Sequence, residues 1–270
     1  MKVKFFKYQA LLNDYIIVDR IKQNELPNFS DDEIRFLCNR RAGIGADGIL
    51  ELTFDEKNSF YKMKIINSDA SVAKMCGNGL RCIVKFLHDS SRIKLNEEVK
   101  IITDAGLKSG TILDNNTSSS TVSVNLGKTQ VLQTNMLFDG LNFTMVDVGN
   151  PHIVTFLDKN ANLEDFALTE GKKLETAIEG GVNVGFAKIT DNNTIELAVW
   201  ERGAGFTMAC GTGATAATTA AINLDLLPSF KTINVLQSGG NLEISASSDM
   251  EITLKGSSNY VFDGNIQLCF

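Results

Sequence analysis

Short runs rich in β-branched and aromatic residues recur along this chain, at 3–8, 15–18, 49–54, 60–66, 99–103, 121–126, 153–157, 194–200, 233–236, 242–245 and 251–254. Most are separated by clusters of Gly, Asn, Asp or Ser, and such runs predict strands. Three other segments carry the helical period instead. The first opens at Ser30 with Glu33 three residues on, a reciprocal cap, and predicts a helix closing near Gly43. A second follows Cys76, where Leu80, Ile83, Val84 and Leu87 share one face. The third follows Cys210 and is filled with small residues from Ala214 to Ala221, which suits close packing against a surrounding sheet. The pattern predicts an α+β fold, mostly antiparallel, in which each half wraps its strands about a central helix.

The last two helices begin on near-identical tails, Met75-Cys76-Gly77-Asn78-Gly79 and Ala209-Cys210-Gly211-Thr212-Gly213. A polar residue stands ahead of each at the same interval, Asn67 before Cys76 and Glu201 before Cys210. This is the mark of a duplication that set a thiol at the start of a helix twice, and it favours two domains. The polar stretch from Leu113 to Ser120 is the best boundary, placing one domain at 1–117 and the other at 118–257.

Composition removes several function classes. The net charge is −6 and no basic run exceeds Arg40-Arg41 or Lys172-Lys173, so a nucleic-acid or anionic-membrane surface is not expected. The first residues alternate charged and apolar side chains, unlike a secretory signal, and no apolar stretch is long enough for a bilayer. A cytoplasmic protein is expected. Five cysteines (Cys38, Cys76, Cys82, Cys210, Cys269) without a CxxC pair, and two histidines (His88, His152), argue against a disulfide framework and a zinc site.

The two tails carry the chemistry. A helix N-terminus gathers backbone N–H groups and the positive end of the dipole, so it binds carboxylates and lowers a thiol pKa from about 8.5 toward neutrality. One such motif could be no more than a tight turn around a buried cysteine. Two with matched surroundings suit a reaction in which a proton leaves one face of a carbon and returns on the other. Abstracting an amino-acid α-proton without a cofactor needs a positioned base, strong hydrogen bonds to the α-carboxylate and exclusion of water. Two cysteines and two helix N-termini can supply the base, the acid and the carboxylate cradle.

The runs Asn67 to Cys82, Gly149-Asn150-Pro151-His152, Gly181-Val182-Asn183-Val184 and Glu201 to Gly213 resemble diaminopimelate epimerase, in family order. So do Gly43 to Gly48 and, more loosely, Leu12-Asn13-Asp14-Tyr15. The resemblance implies a cofactor-independent epimerase interconverting LL- and meso-2,6-diaminopimelate, on the route to lysine and peptidoglycan. It also implies two pseudo-symmetric domains, a homodimer, and a chain end (about 258–270) that returns to the first domain. Carried over residue by residue, Cys76 and Cys210 are the acid/base pair, and Gly77, Asn78, Gly211 and Thr212 cradle the reacting carboxylate. Asn13, Asn67, Asn150, Asn183, Glu201 and Arg202 hold the substrate, while His152 and Glu201 tune the thiols. On spacing alone, the asparagines read equally as turn residues, Glu201 and Arg202 as a solvated pair, and His152 as a core histidine. Cys38, Cys82 and Cys269 read as structural.

The chain departs from the family pattern twice. Gln9-Ala10-Leu11-Leu12 stands where glycines usually precede the first asparagine, and Phe206 where an acidic residue is usual. Three rival functions follow from the same residues: an epimerase or racemase of another amino acid such as proline or hydroxyproline, a thiol redox switch, or a non-catalytic amino-acid binder. Proline offers nothing for Arg202 and the asparagines to bind, a redox switch more often shows CxxC, and a binder has no need of both thiols.

Overall fold

The computed structural model describes residues 1–116 and 119–268. Cys269 and the expected boundary between 117 and 118 lie outside the described residues. The chain forms two compact units, Met1–Val124 with Gly256–Phe270, and Asn125–Lys255.

In the first unit β1 (Lys2–Ala10) and β2 (Asn13–Asp19) form an antiparallel hairpin, followed by α1 (Asp31–Cys38). β3 (Gly48–Asp55) runs parallel to β2, and β4 (Phe60–Asn67) returns antiparallel to β3. The short β5 (Val72–Ala73) pairs with β4 and delivers the chain to α2 (Gly77–Asp89). β6 (Glu98–Thr103) then lies parallel to β4, with β7 (Gly106–Ile112) antiparallel to it.

After β8 (Ser120–Lys128) the same order recurs in the second unit. β9 (Gln130–Phe138) pairs with β10 (Leu141–Asp147), which pairs with β11 (Pro151–Phe156). α3 (Leu163–Glu175) leads to β12 (Asn183–Asp191), parallel to β11, and β13 (Thr194–Glu201) returns antiparallel. The short β14 (Gly205–Thr207) precedes α4 (Gly211–Asn223). β15 (Ile233–Gln237) lies parallel to β13 and antiparallel to β16 (Gly240–Ala246). Finally β17 (Glu251–Gln267) pairs along β1, from Lys2 opposite Gln267 to Gln9 opposite Asn259, as β9 does along β10. The unit boundaries fall inside β8 and β17.

The architecture is α+β, and each unit centres on one buried helix. α2 is buried from Gly77 to Leu87, and α4 from Gly211 to Ala221. Among the described residues no helix is long and apolar enough to cross a membrane.

Two expectations need correction. α1 begins on the predicted cap, with Ser30 accepting from the Glu33 N–H and Glu33 accepting from the Ser30 N–H, but it ends at Cys38 rather than near Gly43. The Asn39 side chain stops it by accepting from the N–H groups of Arg41 and Ala42, an alternative to the helical ladder. The strand set was also incomplete: β5, β7, β9, β10, β12 and β14 and the helix α3 carry no run that stands out in the sequence.

Candidate active site

Both cysteines are N-cap residues with extended backbones, Cys76 of α2 at φ −147° and Cys210 of α4 at φ −120°. In each the sulfur does what an N-cap side chain does, accepting from the N–H three residues on. Gly79 N–H donates to Cys76 Sγ at 3.4 Å, and Gly213 N–H to Cys210 Sγ at 3.2 Å. At Gly213 the approach demands glycine, since a Cβ there would lie 2.8 Å from a Val199 methyl and 3.2 Å from Cys210 Sγ.

In the first unit the hairpin between β1 and β2 brings Asn13 and Tyr15 to Cys76. The Tyr15 hydroxyl lies 3.0 Å from Cys76 Sγ, and Asn13 Oδ1 lies 3.7 Å from it. Asn78, nearly fully buried, donates to Asn13 Oδ1 at 3.2 Å and accepts from Arg81 at 2.8 Å. Asn13 in turn donates to Asp47 at 2.7 Å. Arg40 bridges Asp47 and Asp14, and Lys7 pairs with Asp14. Burial works to raise the Asp14 pKa, but Arg40 and Lys7 outweigh it and hold the carboxyl below its usual range. The Asn67 amide donates to Ser71 Oγ at 2.9 Å within the turn between β4 and β5.

In the second unit β11 and β12 place His152 opposite Asn183. Asn183 donates to the Pro151 carbonyl at 2.9 Å and accepts from the Arg202 N–H at 3.0 Å. The Arg202 guanidinium donates to the carbonyls of Gly180 and Gly181. Glu201 accepts from the Thr207 hydroxyl at 2.6 Å. His152 is fully buried, with Nε2 3.3 Å from Asn150 Oδ1 and, among the described residues, no hydrogen-bond partner for Nδ1. Burial, with a smaller contribution from the Arg202 charge, pushes its pKa down to about 3. The ring is therefore neutral at pH 7. At Cys210 itself, Thr212 Oγ1 lies 3.4 Å from Sγ, and Gln237 accepts from the Cys210 N–H at 2.8 Å.

Sequence reasoning missed three of these neighbours as side chains of the site. Tyr15 sat in a quoted run without a role, Thr207 reaches Glu201 across the turn between β13 and β14, and Gln237 arrives from a distant strand with no local signal. Phe206 packs against the apolar cluster of Phe143, Val184 and Ala198. Leu11 and Leu12, in place of the glycines, take φ of 54° and 67° in the turn before Asn13.

The remaining described cysteines differ in kind. Cys38 and Cys82 are buried, and that burial pushes each thiol up to about 12, too high for acid/base work near neutrality. No group of three or more His, Cys, Asp or Glu side chains among the described residues is arranged to hold a metal.

Comparison with known proteins places the chain in a family. The pattern of the diaminopimelate epimerase family matches residues 5–132 and 144–261. The chain belongs to the diaminopimelate epimerase family. A diaminopimelate epimerase of Prochlorococcus marinus (strain NATL1A) is 36% identical over 293 aligned positions, covering 99% of this chain and all of the relative. One from Methanococcus maripaludis (strain C6 / ATCC BAA-1332) is 35% identical, covering 98% of this chain and all of the relative. Among solved structures, a probable proline racemase from Agrobacterium radiobacter K84 matches with a TM-score of 0.74 at 14% identity, over 99% of this chain and 93% of that one. That likeness is one of fold. The matched stretches include both cysteine-capped helices.

Proposed function

We propose that this chain interconverts LL- and meso-2,6-diaminopimelate without a cofactor, using Cys76 and Cys210 as the acid/base pair. The observation that carries this reading is the repeat itself: in each unit a cysteine caps a buried central helix and accepts the third N–H of that helix. The first-turn N–H groups of a helix have no carbonyl partner within it, so at Gly77–Asn78 and Gly211–Thr212 they suit a substrate carboxylate. One thiolate takes the α-proton, the cradle stabilises the charge that develops, and the opposite thiol returns a proton to the other face.

The other roles follow the site chemistry. Asn13, Asn67, Asn150, Asn183, Glu201 and Arg202 hold the substrate, with Arg202 meeting the distal carboxylate. His152 and Glu201 tune the thiols, and His152 does so as a neutral ring. The set favours diaminopimelate over proline, because proline has no second amino-carboxylate end for Arg202. The domains divide near residue 117, the last residues complete the first domain, and the enzyme works as a cytoplasmic homodimer. The close full-length relatives named for this activity support the substrate.

The test is conversion of LL- to meso-diaminopimelate by the purified chain, with Cys76→Ala and Cys210→Ala alongside. Each alanine variant is expected to lose turnover completely, because inversion needs a group on both faces. Near-normal turnover in either would remove the two-thiol mechanism. Ready racemisation of proline with none of diaminopimelate would move the substrate.

A further inference from the structure

Gln237 ends β15, and the turn behind it is tied down at two points. The Ser238 hydroxyl donates to Glu164 of α3, and the Gly239 N–H donates to the Met208 carbonyl at 2.7 Å. From this fixed base the Gln237 side chain reaches the start of α4, where Oε1 accepts from the Cys210 N–H at 2.8 Å. A backbone N–H can only donate, so the amide atom facing it is the oxygen. The other atom on the same carbon is therefore Nε2, which sits beside the helix start. Nε2 is buried and, among the described residues, has no hydrogen-bond partner. A buried donor left unpaired is costly, so an acceptor is favoured beside it.

The first unit fills the same position differently. Counting from each cysteine, Gln237 corresponds to Thr103, and each stands opposite the glycine that opens the next strand, Gly240 and Gly106. Thr103 is satisfied within its own turn. Its hydroxyl donates to the Gly106 carbonyl at 2.8 Å and accepts from the Ala105 N–H at 3.2 Å. Gln237 instead commits its oxygen to the capping cysteine and leaves its amide hydrogens at the start of α4.

The acceptor that those hydrogens suit is an anion. Gly211 and Thr212 open α4 directly after Cys210. First-turn N–H groups have no carbonyl partner within their helix, and the dipole favours negative charge at that end. We infer that Gln237 is a carboxylate-binding residue, with Nε2 donating to the carboxylate held at the start of α4 and Oε1 fixing the Cys210 backbone beside it. The identity of that carboxylate rests on the two-thiol reading above, which makes it the one on the reacting carbon of diaminopimelate. The test needs no substrate.

Iodoacetate and iodoacetamide alkylate the same thiolate, and only the first carries a carboxylate. The ratio of their rates at the Cys210 peptide therefore reads carboxylate binding there, with changes in thiol reactivity cancelled. Gln237→Met, neutral and similar in length, should lower that ratio about tenfold, the scale of one hydrogen bond to a charged group. Gln237→Glu keeps an oxygen for the Cys210 N–H but has no donor, and should lower it at least as far. The ratio at Cys76 should stay unchanged in both. An unchanged Cys210 ratio in folded Gln237→Met overturns the inference even where Gln237→Glu lowers it, because charge repulsion alone then accounts for the fall. In the unaltered chain, titration with sodium acetate against a sodium chloride control should shift the NMR signal of the Gln237 side-chain amide. A signal that does not move overturns the inference even if neither variant folds. The expected ratios and shift in a chain that leaves diaminopimelate untouched would keep the carboxylate site and lose the substrate.

Discussion

His152 shows how one residue can link the site to stability. Its Nε2 faces Asn150, while Nδ1 is buried without a partner among the described residues, so a second proton would place an unmatched N–H and a charge in the interior. Burial accordingly pushes the pKa down to about 3, against about 6.5 for a free histidine. The sign follows from linkage. Below pH 6.5 the unfolded chain binds a proton that the folded chain refuses, so stability is full above that pH and falls as pH drops toward 3. The limiting slope is about 1.4 kcal/mol per pH unit, or roughly 2 kcal/mol between pH 6.5 and 5. Urea denaturation at pH 7 and pH 5 should show His152→Gln losing about that much less than the unaltered chain over the interval. Identical losses would mean that the ring is protonated in the fold.

At the scale of elements, α2 and α4 solve the same problem with opposite side chains. Counting from the capping cysteines, Leu80, Ile83 and Leu87 correspond to Ala214, Ala217 and Ala221, and all are wholly buried. The strands around α2 leave room for branched residues, and those around α4 close onto methyl groups. Ile83→Ala should therefore open a cavity and cost about 2–5 kcal/mol. The mirror change, Ala217→Ile, should overpack its site and cost about 1–3 kcal/mol. Thermal or urea unfolding of the two variants decides this, and a neutral Ala217→Ile would show that the second helix is loosely held. These central helices were legible because their signal is local: a capping motif followed by an unbroken buried run. So was the start of α1 at Ser30. Its end was not, because Asn39 stops the helix through a side-chain turn that competes with continued periodicity. α3 escaped notice because its buried stripe is Leu163, Ala167, Gly171 and Leu174, with the glycine lying against the Trp200 ring that no local pattern announces. β9 has only exposed and half-exposed residues and exists by pairing with β10. Within the site, the residues on the cysteine tails were readable, whereas Gln237 reaches Cys210 only through tertiary pairing.

At the scale of the whole molecule, the two-thiol reading makes a demand that neither unit meets alone. If Cys76 and Cys210 close on one α-carbon, modest domain closure without substrate should let oxidation join them, which requires a Cα separation of roughly 4.4–6.8 Å. The chain passes between the units inside β8 and again inside β17, so a bond between the two cysteines would add a third link to two existing ones. Cys38 and Cys82 provide internal controls. Both are buried with thiols pushed up to about 12, and thiolate is the form that oxidises and exchanges. Mild oxidation should therefore remove epimerase activity, dithiothreitol should restore it, and peptide mapping of the inactive form should find Cys76 linked to Cys210 with Cys38 and Cys82 intact. With both thiols tied up in the bond, neither sulfur could exchange a proton under the two-thiol reading, so loss of activity should track formation of the disulfide one for one. Full turnover in a preparation that carries the Cys76–Cys210 bond would contradict acid/base roles for both sulfurs. Preferential oxidation of Cys38 or Cys82 would instead show that thiolate character lies elsewhere in the chain.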